Sequence, residues 1–176
     1  PITHATPAAF YASTPDRGDG YGIMKQIPES GFDFLGGSGF EDMFGKDGKE
    51  LGADKYLEQH GYEVCFGPEE FHAAADTCNR IIFRQEKSKA EDAKAYVSED
   101  ADAEDITLAE MLQLAIGYFG EEDPFFIMCE GGDIDWESHS NFTMPMIEKV
   151  ISFDNAIAVA YEFYKEHPEE TLIVVT

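Results

Sequence analysis

The sequence has 176 residues, of which 43% are hydrophobic, and its formal net charge is −24 with only 12 lysines and arginines. This composition is typical of a globular chain that is long enough to form one domain with a hydrophobic core. Nucleic-acid binding is excluded as a function, because phosphate backbones require a basic protein surface. A membrane-spanning role is also not expected, because no apolar run is long enough to cross a bilayer.

The excess of negative charge has several explanations that the composition leaves open. It is compatible with bound metal ions, a high-salt habitat, a basic partner, or simply a solubilising acidic surface. The chain has three cysteines, and their odd number without paired short spacing argues against a disulfide framework.

The first half of the chain predicts short helices alternating with short strands. A helix is expected from Thr3 to Ser13, with Thr3 as its cap. A second helix is expected from Leu51 to His60, because Gly61 suits the left-handed residue that follows a helix. Short strands are expected at Phe32 to Leu35, Tyr62 to Phe66 and Arg80 to Phe83.

The last third has clearer signals. A capping box at Thr107 to Glu110 begins a helix that Gly120 ends. Phe125 to Cys129 and Leu172 to Val175 are continuously apolar and predict buried strands of a parallel sheet. Between them a long helix is expected from Pro145 to Lys165. Its predicted inner face consists of Ile147, Val150, Ile151, Ile157, Tyr161 and Tyr164.

This order of elements predicts an α/β fold with a mostly parallel sheet and helices on both faces. No internal repeat and no convincing domain boundary are present. We therefore expect a single domain over residues 1–176, interrupted by an acidic irregular segment at about residues 84–105.

The strongest chemical signal is the acidic loop that follows Phe125 to Cys129. Four carboxylates, at Glu130, Asp133, Asp135 and Glu137, lie close together in the sequence and would repel one another without a cation. Asp135 and His139 have the spacing that places two side chains on one face of a helical turn, where they can share a zinc ion. The alternative is a solvated loop that is acidic because the whole chain is acidic.

Two separate segments resemble the alkaline phosphatase family. CEGGDIDWESH, from Cys129 to His139, resembles the metal loop of that family, a Glu-Gly-x-x-Ile-Asp-x-x-x-His pattern. THATPAAFYA, from Thr3 to Ala12, resembles the family's His/Asp-Ala-Thr-Pro segment. The helix that begins at Thr107, the long helix and the final TLIVVT also follow the family's order.

The resemblance implies a role for particular residues. Thr6 and Glu130 would bind magnesium, and Asp135 and His139 would bind the first of two zinc ions. Arg17 would grip the phosphate of the substrate. The resemblance also places two residues around the site, where they would tune its affinity for metal and phosphate: His4 and Trp136.

The family's chemistry is the hydrolysis of small phosphomonoesters through a phosphoserine, with two zinc ions and one magnesium ion. Its nucleophilic serine, the ligands of the second zinc and a further zinc histidine match no position in these 176 residues. The resemblance therefore implies a fragment that is inactive by itself and whose sheet is incomplete at both ends. It also implies periplasmic or extracellular placement and allows a homodimer, since unpaired sheet edges favour self-association.

Two other readings of the sequence stay open. The first is a member of the same superfamily that acts on phosphodiesters or sulfates. The second is a non-catalytic acidic module that binds divalent ions weakly through surface carboxylates, without a preference for zinc and without dependence on His139.

Overall fold

The structure is a computed structural model that describes residues 1–85, 105–120 and 124–176. The chain divides into two compact units, Pro1–Ile106 and Thr107–Thr176, and each is described by itself. Most of the predicted acidic segment, residues 86–104, lies outside the described residues. The expectation of one domain over residues 1–176 stays a prediction.

The first unit contains five short helices and three strands among its described residues. In chain order they are α1 (Ala5–Tyr11), α2 (Gly20–Met24), α3 (Ile27–Ser30), β1 (Phe34–Gly37), α4 (Ala53–Gln59), β2 (Glu63–Phe66), α5 (Gly67–Ala75) and β3 (Ile81–Arg84).

The three strands form a parallel sheet in the order β1-β3-β2. Phe34 lies opposite Ile81 in β3, and Glu63 lies opposite the same residue from the other side. All three residues of β3 from Ile81 to Phe83 are fully buried, as expected for the central strand of a parallel sheet. Helix α4 packs on β2, and α5 packs on β2 and β3. A small parallel sheet flanked by helices confirms the predicted α/β class.

The five predicted elements of this unit are present to within about two residues, whereas α2, α3 and α5 are not among the predicted elements. The predicted helix before Gly61 is α4, and Gly61 has φ of +89°, the left-handed conformation that a glycine adopts without steric cost. The predicted strands at Tyr62 and Arg80 are β2 and β3, each starting one residue later than expected.

The start of α1 differs from the prediction. Thr3 was expected to cap this helix, but the cap residue is His4, whose side chain makes no capping hydrogen bond. Thr3 is instead fully buried, and its hydroxyl oxygen accepts a hydrogen bond from the backbone N–H of Glu41 at 2.8 Å. Thr3 therefore joins the helix start to a distant loop, a role that local sequence rules do not reveal.

The second unit contains three helices among its described residues: α6 (Leu108–Phe119), α7 (Asp133–His139) and α8 (Thr143–Glu166). The predicted capping box is present, with Thr107 and Glu110 each accepting a hydrogen bond from the other's backbone N–H. Gly120, with φ of +68°, ends α6 as predicted. Helix α8 packs against both α6 and α7.

The predicted strands of this unit are not formed. Phe125 to Cys129 and Leu172 to Val175 have no regular secondary structure, and Phe126 and Leu172 are 64% and 86% exposed. A strand requires a hydrogen-bonded neighbour, and the described residues of Thr107–Thr176 contain no strand that pairs with either segment. A short apolar run therefore forms a strand only where a neighbouring strand is available to pair with it.

The predicted inner face of α8 is also wrong. Ala156 is buried, whereas Ile147, Val150, Ile151 and Tyr161 are exposed and Ile157 and Tyr164 are only partly buried. Apolar side chains occupy more than one face of this 24-residue helix. The covered part of this helix contains buried Ala156, Phe153, which contacts the loop before α7 at Gly131, and Phe163, whose ring lies near that of Phe125.

Within the described residues, no helix is long and apolar enough to cross a membrane.

Candidate metal and phosphate site

Helix α7 brings together the two predicted zinc ligands. Nε2 of His139 lies 3.5 Å from Oδ2 of Asp135, and both side chains are about three-quarters exposed. Two ligand atoms of a tetrahedral zinc ion lie about 3.4 Å apart, given zinc–nitrogen and zinc–oxygen bonds of about 2.1 Å. The pair therefore has the separation that one zinc ion would bridge, and its exposure leaves room for further ligands.

The loop before α7 is held against α8 at a glycine. A Cβ built on Gly131 would lie only 2.9 Å from Cδ2 of Phe153, so the loop backbone touches this aromatic ring directly. The next glycine lies against the predicted magnesium ligand, since a Cβ on Gly132 would be 3.2 Å from Oε2 of Glu130. The two glycines thus allow a close approach of the loop to α8 on one side and to the Glu130 carboxylate on the other.

Replacing Gly131 with alanine is expected to destabilise the second unit by about 1–3 kcal/mol, because overpacking forces Phe153 or the loop to move. Gly117 provides the matched control: a Cβ there meets no atom within 4 Å. Since glycine inside a helix is less favourable than alanine, Gly117→Ala should stabilise α6 by about 0.5–1 kcal/mol. Thermal unfolding of both variants measures the difference. Equal effects of the two changes would contradict the contact with Phe153.

One of the four clustered carboxylates is already paired. Nζ of Lys149, on α8, lies 3.2 Å from Oδ2 of Asp133. Glu137 turns inward and is buried. Asp133 is thus paired with Lys149 and Glu137 is buried, while Glu130 and Asp135 have exposed side chains that a cation can reach. Trp136 is half-buried on the same helix.

The cysteine before Glu130 is a neutral thiol in the metal-free chain. Burial, assisted by the charge of Glu130, raises the pKa of the Cys129 thiol to about 11. Without a bound metal the thiol is therefore protonated at neutral pH, and Cys129 packs as a small apolar side chain.

The first unit places the other predicted residues on and beside α1. Thr6 lies in the first turn and is half-buried, directly after Ala5, whose φ is +39°. A positive φ is strained for a residue with a side chain, and such strain concentrates at functional sites. His4 precedes this turn, and its Nε2 lies 3.3 Å from Nη2 of Arg17.

Arg17 projects from a turn that side chains define. Asp16 accepts a hydrogen bond from the Gly18 N–H at 2.9 Å, and its other oxygen lies 2.8 Å from Nζ of Lys46. The hydrogen bond from Lys46 and that from Gly18 lower the pKa of Asp16, so this carboxyl group stays ionised at neutral pH. Arg17 itself is exposed, which leaves its guanidinium accessible to a ligand.

The described residues thus form two partial groups: Asp135 with His139 on α7, and His4 with Arg17 beside Thr6 on α1. Across residues 1–85, 105–120 and 124–176, no set of three or more His, Cys, Asp or Glu side chains is placed to hold a metal ion. Asp135 and His139 by themselves would therefore supply only two of the four ligands of a tetrahedral zinc site.

Comparison with known proteins gives the family. A family model for alkaline phosphatase matches residues 85–176, which is more than half of the chain. The chain belongs to the alkaline phosphatase family. It is 28% identical to alkaline phosphatase 4 of Bacillus subtilis over 99% of its own length, and 27% identical to the repressible alkaline phosphatase of Saccharomyces cerevisiae over 96%.

Solved alkaline phosphatases share the fold. The enzyme from the Antarctic bacterium TAB5 is 30% identical and superimposes with a TM-score of 0.73 over 94% of this chain. A variant of the TAB5 enzyme with bound Mg gives a TM-score of 0.75 at 29% identity. The chain spans 37% of the Bacillus protein and 47% of the TAB5 structure, so it corresponds to less than half of either alkaline phosphatase.

Sequence reasoning missed three residues that build these partial groups. Lys149 neutralises Asp133, Phe153 meets Gly131, and Lys46 fixes the turn of Arg17. Lys149 and Lys46 are separated from their partners by 16 and 30 positions in the sequence, and no local pattern marks such pairs.

Proposed function

We propose that this chain is part of an alkaline phosphatase that hydrolyses small phosphomonoesters through a phosphoserine intermediate, with zinc held by Asp135 and His139. The separation of 3.5 Å between Nε2 of His139 and Oδ2 of Asp135 is the observation that carries the proposal. Family membership supports it independently, because the relatives that align over nearly the whole chain are alkaline phosphatases.

Each candidate residue of the chain has a separate role in this proposal. Asp135 and His139 hold the metal from one helix face, and Arg17 pairs with two phosphate oxygens through its planar guanidinium. His4, in contact with Arg17, orients it. Zinc, when bound, supplies Lewis-acid stabilisation of the charge on phosphoryl oxygens. Thr6 and Glu130 stay the predicted magnesium ligands, and Trp136 a residue that tunes the site.

The proposal also includes the activity of the isolated chain, its location and its oligomeric state. The isolated 176 residues are expected to be inactive, because the family's nucleophilic serine matches no position in them. Periplasmic or extracellular placement and a homodimer are retained from the resemblance alone.

The test is phosphate release from an aryl phosphate by the full-length protein. We expect hydrolysis that a chelator abolishes and that zinc with magnesium restores, and no release by residues 1–176 alone. An aryl sulfate and a bis-aryl phosphodiester serve as competing substrates. Faster turnover of either, or hydrolysis that survives complete chelation, would contradict the proposal.

A further inference from the structure

The largest fully buried side chain among the described residues carries a charge. The side chain of Arg84 is 1% exposed, and its Nη1 donates a hydrogen bond to Oδ2 of Asp54 at 2.6 Å. Its guanidinium also lies over the rings of Phe66 and Phe40, at 5.0 and 5.9 Å from their centroids. A buried ion pair is often no more stabilising than apolar side chains of the same volume, so its presence here requires another explanation.

Arg84 lies where it can influence a site without touching a ligand. It is the last residue of β3, the central strand, and lies opposite Gly37 of β1. Ligands of open α/β sheets bind outside these carboxyl ends. Because the side chain is buried, any effect on a ligand must pass through the neighbouring loop.

The loop of residues 38–41 follows β1, and the buried side chain of Arg84 contacts it. A Cβ on Gly39 would lie 2.9 Å from Nη2 and 3.1 Å from Nε of Arg84, so the guanidinium contacts the loop backbone directly. The carbonyl of Gly39 in turn accepts a hydrogen bond from the Ile2 N–H at 2.6 Å. Two residues later, the Glu41 N–H donates to the hydroxyl of Thr3.

These two hydrogen bonds fix the chain immediately before α1. The hydroxyl of Tyr11, at the end of α1, donates to the Ile2 carbonyl at 2.8 Å. The end of the helix is therefore bonded to the same residue that Gly39 holds. His4 follows Thr3 directly and contacts Arg17, and Thr6 lies in the first turn of the helix. A shift of the loop would therefore move His4 and Thr6, and with His4 the side chain that contacts Arg17.

We propose that Arg84 is a positioning residue. Its guanidinium, held by Asp54, fixes the loop of residues 38–41, and the loop fixes the helix that presents His4 and Thr6. This inference rests on the proposed function for its catalytic consequence, although its structural part does not.

The test is Arg84→Lys in the full-length protein, because lysine keeps the charge but loses the rigid planar fork. We expect amide hydrogen exchange in Ile2–Tyr11 to accelerate by about tenfold or more, since local opening of the helix start becomes easier. We also expect KM for an aryl phosphate and the magnesium concentration that gives half-maximal rate to rise several-fold, with a smaller change in kcat.

Two controls separate positioning from general destabilisation. Ile81→Val weakens the same buried strand through a small cavity at its opposite end, where Ile81 lies opposite Phe34 rather than Gly37. Arg80→Lys changes an arginine just before that end of the strand, where it lies over Tyr62. Neither should change exchange in Ile2–Tyr11 or KM. If Arg84→Lys matches Ile81→Val in exchange and in KM at an equal loss of Tm, the proposal is overturned.

A second variant tests the link if Arg84→Lys does not fold. Thr3→Val removes the acceptor for the Glu41 N–H and leaves Arg84 intact. It should accelerate exchange in Ile2–Tyr11 and raise KM, and an unchanged exchange pattern would overturn the proposal. Hydrogen exchange needs no activity, so an inactive wild-type protein would contradict the proposed function while leaving this structural readout decisive.

Discussion

Replacing His139 with alanine is expected to reduce kcat/KM for a phosphomonoester by more than about 10²-fold in the full-length protein, because removing a metal ligand weakens both metal binding and Lewis-acid stabilisation. His139 is largely exposed at the end of α7, and its ring contacts Asp135 within the same helix. The variant should therefore keep its fold, and its Tm without metal should match that of the wild type.

His167 provides the matched control for this change. It follows α8 directly, and its ring centroid lies 4.6 Å from that of Phe163. In the sequence it is far from Asp135. His167→Ala should keep zinc-dependent activity. Equal activity of the His139→Ala and wild-type proteins would remove the zinc assignment and favour the reading of a solvated acidic loop.

Replacing Arg17 with alanine is expected to lower kcat/KM by about 10²–10³-fold, the usual effect of removing one charged donor from a developing negative charge. The bidentate geometry predicts that Arg17→Lys recovers only part of the loss, since an ammonium group cannot form two parallel hydrogen bonds. The measurement is steady-state hydrolysis of an aryl phosphate, with inorganic phosphate as a competitive inhibitor.

Arg80→Ala is the control for the Arg17 prediction. Arg80 is also an arginine of the first unit, but it lies over the ring of Tyr62 and just before the N-terminal end of β3. If Arg17→Ala and Arg80→Ala have the same small effect and inhibition by phosphate is unchanged, Arg17 is an ordinary surface residue.

The features that the sequence predicts well are those that depend on neighbouring residues. The capping box of Thr107 and Glu110 involves residues three apart, and the pairing of Asp135 with His139 depends on one helical turn. The left-handed conformation at Gly61 follows from the absence of a side chain. In each case the physical cause lies within about four residues.

The features that the sequence does not reveal depend on distant contacts. Thr3 meets Glu41 across 38 positions, and Arg84 meets Asp54 across 30. A polar residue near a helix start predicts a cap, but Thr3 is buried and its hydroxyl accepts a hydrogen bond from Glu41 instead. Likewise, Phe125 to Cys129 has the composition of a buried strand, yet a strand also requires a neighbour.

Calorimetric titration of the metal-free 176-residue chain with zinc, beside His139→Ala, tests the central claim most directly. Stoichiometric binding that disappears in the variant is the predicted result, with a free energy far below the about 10–16 kcal/mol of a complete structural zinc site, because only two ligands are in place. Weak binding to many sites, unchanged by the loss of His139, would contradict the account and leave a chain that binds cations only through its acidic surface.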